Sequence, residues 1–282
     1  MKKILVICLI CIFTFTIMSG CDNSKNTQND IEKNVVIVGS TSVQPLSESL
    51  AEAFMKKNRN ISIVIKGGGS AQGVKAIQQK NADLGALSRE VKDEESSYIT
   101  EEFIIASDGV AVITHSSNNV DNMSIDQIKK IYTGEIKNWK EVGGNDAPII
   151  VVTREMGSGT RASFSEITGI LTKNNSGEEV DETTKSALIQ NSTEAVKKAV
   201  AETPNSIGYI SLGSLGDSVK ALRIEGKEPS RENVIDGEYK ISRPFIYIAG
   251  NEISSESQKF IQYILSEDGQ HLVEEMGFIP VI

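Results

Sequence analysis

Cysteine is nearly absent from this chain of 282 residues, and the placement of its three copies tightens that scarcity. Cys8 and Cys11 lie in an apolar run, Ile4 to Met18, that follows Lys2 and Lys3 and reads as a secretory signal over residues 1–20. With that segment removed Cys21 stands alone, so neither a disulfide framework nor a cysteine metal site can be assembled. Histidine is as scarce. His115 and His271 have no partner at ligand spacing, so no metal is expected, and without a placed histidine no serine has an evident base, which argues against an enzyme. Positive charge is in deficit too: losing Lys2 and Lys3 from the 29 basic residues leaves 27 against 38 acidic ones, a net charge of −11. Nucleic acid, which needs a concentrated basic face, is thereby excluded as a partner. Aromatic residues make up 5% of the chain, which does not favour a sugar-stacking cleft; Tyr132 and Trp139 read as packing.

The signal ends Met18-Ser19-Gly20-Cys21, small residues directly before a cysteine, as in a bacterial lipobox with Met18 where leucine is more usual. Cys21 is therefore expected to be lipidated, two acyl chains being enough for a stable anchor on the extracytoplasmic face of the membrane. Residues 21–33 are polar and unpatterned, a tether with a reach of roughly 20 Å.

Beyond the tether, short apolar runs alternate with helical patterns. Val35 to Val38 precedes Leu46, Leu50 and Phe54 on one helical face; Ile61 to Ile65 precedes Val74 and Ile77; Leu84 to Leu87 follows. The style repeats with Ile125 to Ile131 and Ala195 to Val200 as helices and Ile149 to Val152, Ile207 to Ile210 and Phe245 to Ala249 as strands, before a helix striped by Phe260, Ile261, Ile264 and Leu265. The alternation predicts an α/β fold with a largely parallel sheet. Residues 34–112 and 245–282 are expected to form one domain and 113–244 a second, joined by two crossings near Val110 to Thr114 and Ser242 to Phe245 with a cleft between.

Three glycine- and serine-rich segments open helices after strand-like runs: Gly39-Ser40-Thr41-Ser42, Gly67-Gly68-Gly69-Ser70, and Gly157-Ser158-Gly159-Thr160, the last directly after Arg154, Glu155 and Met156. A helix N-terminus offers unsatisfied N–H donors and partial positive charge, so several aimed at one point hold an anion with few formal cations. Ser88 lies just past the strand-like run ending at Leu87 and faces the same crevice. Arg154, beside the third turn, reads as an anion ligand, with Glu155 able to orient it; Arg89 and Arg161 read as members of structural ion pairs. A phosphate-binding NTPase loop is excluded because Val74 stands where its lysine must be, and a hydrolase elbow because Gln72 breaks the pattern.

These segments, with Asp83 to Arg89 and Ile131 to Trp139, resemble in order and spacing the phosphate-binding proteins of the bacterial phosphate-specific ABC transporter, over essentially the whole mature domain. The resemblance implies a two-domain periplasmic-binding-protein fold of type II kind, a monomer without cofactor that closes on dehydrated inorganic phosphate and delivers it to permease subunits driven by a cytoplasmic ATPase. It places Thr41, Ser42, Ser70, Ser88, Arg154, Gly157, Ser158, Gly159 and Thr160 around the ligand. Some family members carry an aspartate where this chain has Ser88, a carboxylate that takes the proton of monohydrogen phosphate and repels sulfate; a serine can accept that proton but cannot repel. Sulfate or molybdate is thus the alternative ligand, and a surface phosphatase or adhesin on the same fold the alternative of another class. A ceiling of about 1.5 kcal/mol per heavy atom limits a five-atom anion to low micromolar affinity, so nearly every oxygen must be multiply bonded.

Overall fold

The computed structural model describes residues 33–282; the signal, Cys21 and nearly all of the tether lie outside the described residues. The chain opens with β1 (Lys33–Ser40), α1 (Gln44–Lys57), β2 (Ile61–Gly68), α2 (Ser70–Gln78), β3 (Leu84–Leu87) and the long β4 (Glu101–Thr114). It continues through β5 (Asn122–Met123), α3 (Ile125–Thr133), β6 (Ile150–Arg154), α4 (Gly159–Ile167), a hairpin of β7 (Leu171–Lys173) and β8 (Glu179–Asp181), β9 (Leu188–Gln190), α5 (Thr193–Glu202) and β10 (Ser206–Ser211). The short β11 (Lys220–Ala221) and β12 (Arg223–Ile224), α6 (Arg231–Ile235), β13 (Ser242–Ala249), α7 (Ser255–Ile264) and α8 (Glu267–Glu275) complete it. Among the described residues no helix is long and apolar enough to cross a membrane.

The sheet is mixed, which corrects the expectation of a largely parallel one. Its order is β2-β1-β3-β13-β4-β10-β6-β9, with β11 also on β4. β1 pairs in parallel with β2 and β3, and β6 with β10 and β9, but β13 enters antiparallel between β3 and β4, and β4 is antiparallel to β10. The antiparallel centre arises because β13 returns from late in the chain to close the first half of the sheet. Each outer parallel set keeps the arrangement in which strand carboxyl ends and helix starts share one edge.

Apolar patterning seats these elements. Leu46, Leu50 and Phe54 are buried on α1 as their spacing demands, against Phe260, Ile261 and Ile264 of α7, in a cluster that draws only on residues 35–106 and 245–278. At about 1.5–3 kcal/mol for each large side chain removed from water, the α1 stripe alone contributes several kcal/mol. A separate cluster within residues 110–241 holds Tyr132, Trp139, Phe164 and Tyr209, with Phe164 stacked on Tyr209 at 4.0 Å between ring centroids. Tyr132 and Trp139 are thus core residues. Tyr132 is delivered by α3, which begins in a Ser124–Gln127 capping box and stops where Gly134 turns left-handed at φ 82°.

β4 and β13 join the two groups of core residues, and they are tied by a buried rung. Arg243 lies opposite Asp108, Nη2 to Oδ2 at 2.9 Å, both side chains 1% exposed. Arg243 also lies over the Phe245 ring, 5.5 Å from its centroid. A register shift follows between Phe245 and Ile246.

Candidate functional site: a hydroxyl and amide cage at the helix starts

Four helix starts meet at one point. Gly39 and Gly73 allow the first two to approach, since a Cβ on Gly39 would overlap Ala86 and one on Gly73 would lie 2.9 Å from the Val38 carbonyl. Ser40, Ser42, Ser70 and Ser88 come from the first half of the sheet and Arg154, Ser158 and Thr160 from the second, all buried. The two sets touch: Ser42 Oγ is 2.8 Å from Thr160 Oγ1, and the Ala71 N–H donates to the Gly157 carbonyl at 3.1 Å. Gly159 is the point of closest approach, where a Cβ would overlap Ser70 Oγ and lie 2.7 Å from Ser88 Oγ.

The unpaired donors define what this arrangement can hold. The backbone N–H groups of Thr41, Ser70, Gly159 and Thr160 take no acceptor among the described residues. The last three open α2 and α4, where first-turn amides have no intrahelical partner. α1, α2 and α4 also carry no acidic side chain in their own first turns, although the Glu155 carboxylate that pairs with Arg154 lies beside Gly69 at the start of α2. Ser88 Oγ accepts from Ser40 Oγ at 2.8 Å and the Ser88 N–H donates to Ser70 Oγ at 3.1 Å, which leaves the Ser70 and Ser88 hydroxyl protons to point elsewhere.

Arg154 is the cation of the cage and is 1% exposed. Its Nε and Nη2 donate to the two oxygens of Glu155, each at 2.9 Å, which fixes the plane of the fork as the sequence suggested. Nη1 turns to Thr193 Oγ1 at 3.4 Å. The other two arginines are engaged elsewhere. Arg89 forms a bidentate pair with Glu95, at 2.8 and 2.6 Å; burial pushes the Glu95 carboxyl up, but the Arg89 and Lys92 bonds outweigh it and leave it lowered. Arg161 donates to Asp181 at 2.8 Å and to the Arg154 carbonyl at 2.7 Å. Burial opposes ionisation of Asp181, yet hydrogen bonds from Arg161 and Thr183 bring its carboxyl down to about 2. A cavity of about 500 Å³ opens beside the cage between Arg89, Lys92, Met156, Arg161 and Glu179. Its arginines are paired with Glu95 and Asp181.

The expected ligands Thr41, Ser42, Ser70, Ser88, Arg154, Ser158, Gly159 and Thr160 lie close together at this junction, with Gly157 reaching it through its carbonyl. Two were missed. Ser40 is buried and orients Ser88. Thr193, 2% exposed, opens α5 and bonds Ser42 Oγ at 2.8 Å while its N–H donates to Thr41 Oγ1 at 3.2 Å. Its sequence context, Ser192-Thr193-Glu194, signals no more than a capped helix, and Ser192 does cap it.

A PBP superfamily domain model matches residues 24–268. The phosphate-binding protein PstS of Bacillus subtilis is 35% identical, over 99% of this chain and 95% of its own length. That of Borreliella burgdorferi is 30% identical, over 100% and 99%. Among solved structures, a putative phosphate ABC transporter substrate-binding protein from Clostridium perfringens with bound phosphate superposes with a TM-score of 0.83 at 43% identity, covering 89% of this chain and all of that one. An ABC-type phosphate transport receptor from Vibrio cholerae gives 0.69 at 34%, covering 88% and 99%.

Proposed function

The chain belongs to the PBP superfamily and, within it, to the PstS phosphate-binding proteins, and on that premise we propose that the cage seats one inorganic phosphate for delivery to an ABC importer. The observation that carries the assignment is the set of four unpaired N–H groups, at Thr41, Ser70, Gly159 and Thr160, gathered around a buried arginine on helices that carry no acid in their own first turns. Thr41 and Ser70 donate from one side and Gly159, Thr160 and Arg154 from the other. The Ser70 and Ser88 hydroxyls supply further donors, and Ser42, Gly157 and Ser158 hold the turns in place. Donors drawn from both halves of the sheet support a reading in which residues 34–112 with 245–282 and residues 113–244 are two lobes, hinged on β4 and β13, that close over the anion and exclude water.

The role is binding rather than catalysis. Both histidines are remote from the cage: His115 bonds Ser117, and His271 lies against Glu275 on the surface of α8. Lipidation at Cys21 would keep this receptor on the outer face of the membrane, as a monomer presenting its cleft to permease subunits. Sulfate stands as the second reading, because the hydroxyl cluster contains no carboxylate to repel a fully ionised anion.

Calorimetric titration of the anion-stripped protein with phosphate and then sulfate tests this. Micromolar or tighter phosphate binding is expected, and Arg154→Ala should weaken it by about 3–5 kcal/mol, the range for removing one partner of a buried charge pair. Silence with phosphate would overturn the assignment, and equal heats from sulfate would widen it to tetrahedral oxyanions.

A further inference from the structure

We infer that Thr193 is a positioning residue for anion capture, the link through which Arg154 sets the hydroxyls on both sides of the cleft; the inference rests on the phosphate-binding reading above. Arg154 can only donate, so the proton of its Nη1 occupies Thr193 Oγ1 as an acceptor, at 3.4 Å. The Thr193 hydroxyl meets Ser42 Oγ at 2.8 Å and Ser42 Oγ meets Thr160 Oγ1 at 2.8 Å, contacts in which either partner can donate; with Arg154 filling one acceptor site of Thr193, the outward order, Thr193 to Ser42 to Thr160, gives every hydroxyl a partner. In that order Thr160 ends the relay with its own O–H free to donate into the cage. Polarisation along such a chain strengthens each successive donor.

The relay crosses from one half of the sheet to the other and back, so it exists only when the two are in contact. A parallel backbone link, the Thr193 N–H to Thr41 Oγ1 at 3.2 Å, fastens α5 to the same first-lobe turn. Thr193 thus acts after the anion has docked: it holds the closed arrangement and aims the Thr160 hydroxyl, while the ligand need not touch it. Ser192 caps α5 independently, so the Thr193 hydroxyl is dispensable for the helix itself.

Stopped-flow and calorimetric phosphate binding to the intact protein tests this with Thr193→Val, which keeps the shape and deletes the hydroxyl, and Thr193→Ser, which restores it. Thr193→Val should weaken binding about tenfold, with the loss in the dissociation rate, and Thr193→Ser should return it to within about threefold of the parent. Because Ser42→Ala cuts the same relay one step later, the double variant should lose no more than the weaker-binding single one. Parent-like affinity in Thr193→Val, a loss confined to association, no recovery in Thr193→Ser, or additive losses in the double variant would each overturn the role. If the parent fails to bind phosphate, the functional reading falls as well; if it binds and only Thr193→Val behaves as parent, this inference falls alone.

Discussion

The helix starts inside the cleft and those outside it follow different rules. α3, α6, α7 and α8 each place an acid in the first turn, Asp126, Glu232, Glu256, and Glu267 with Asp268, and each has a serine N-cap that accepts a backbone N–H. α1, α2 and α4 carry no first-turn acid, and α1 and α2 have no side-chain cap. α5 lies between: it has Ser192 and Glu194 in the stabilising pattern, and its contribution to the cleft is a hydroxyl rather than a bare amide. An acid near a helix N-terminus is worth about 0.3–1 kcal/mol, so the cleft helices forgo stability that their neighbours take. The difference separates helices that are finished internally from helices whose starts are left open, as the proposed anion seat requires.

The sharpest way to break the comparison is to finish a cleft helix. Ser70→Asp places a carboxylate at the start of α2, where it opposes the ligand; two like charges about 4 Å apart repel by about 4 kcal/mol at an effective dielectric near 20. Phosphate binding should be lost while the melting temperature of the ligand-free protein holds or rises. Retained binding would show that the α2 start does not face the anion.

A smaller effect separates the two arginines of the α4 region. Asp181, paired with Arg161, has its carboxyl lowered to about 2 from the usual value near 3.9. A depressed folded-state pKa contributes stability that is present above the unfolded value and lost as pH falls towards the folded one. The stability gap between the parent and Asp181→Asn, followed by urea denaturation, should therefore shrink as pH is taken from 5 to 2; a constant gap would mean that the pair is not what Asp181 contributes. Smallest of all, Asp126→Asn at α3 should lower stability by about 0.3–1 kcal/mol and leave phosphate affinity unchanged, the reverse of the pattern at α2.

Much of this was legible in the sequence because its signals are local. Glycine and serine after an apolar run mark a strand that ends and a helix that starts, and all three such turns reach the cage. Arg154 and Glu155 are adjacent, so their pairing needs no fold to suggest it. The hydroxyl relay was illegible because its bonds join residues 118 and 151 positions apart, Ser42 to Thr160 and Ser42 to Thr193. The antiparallel centre of the sheet escaped for the same reason. β13 reads like any other buried strand, and only the closed fold reveals that its neighbours are β3 and β4.

The buried rung between Asp108 and Arg243 limits the ways in which β4 and β13 can move against each other. The partners face each other across β4 and β13, and neither meets solvent. Slipping one strand along the other by a residue would set Arg243 against Ser107 or Gly109 and leave two buried charges apart, a state that costs about 3–5 kcal/mol. Sliding is therefore closed off as a degree of freedom. What remains is rotation, and the register shift at Phe245 and Ile246, next to the rung, supplies a place for the paired strands to bend without losing their alignment.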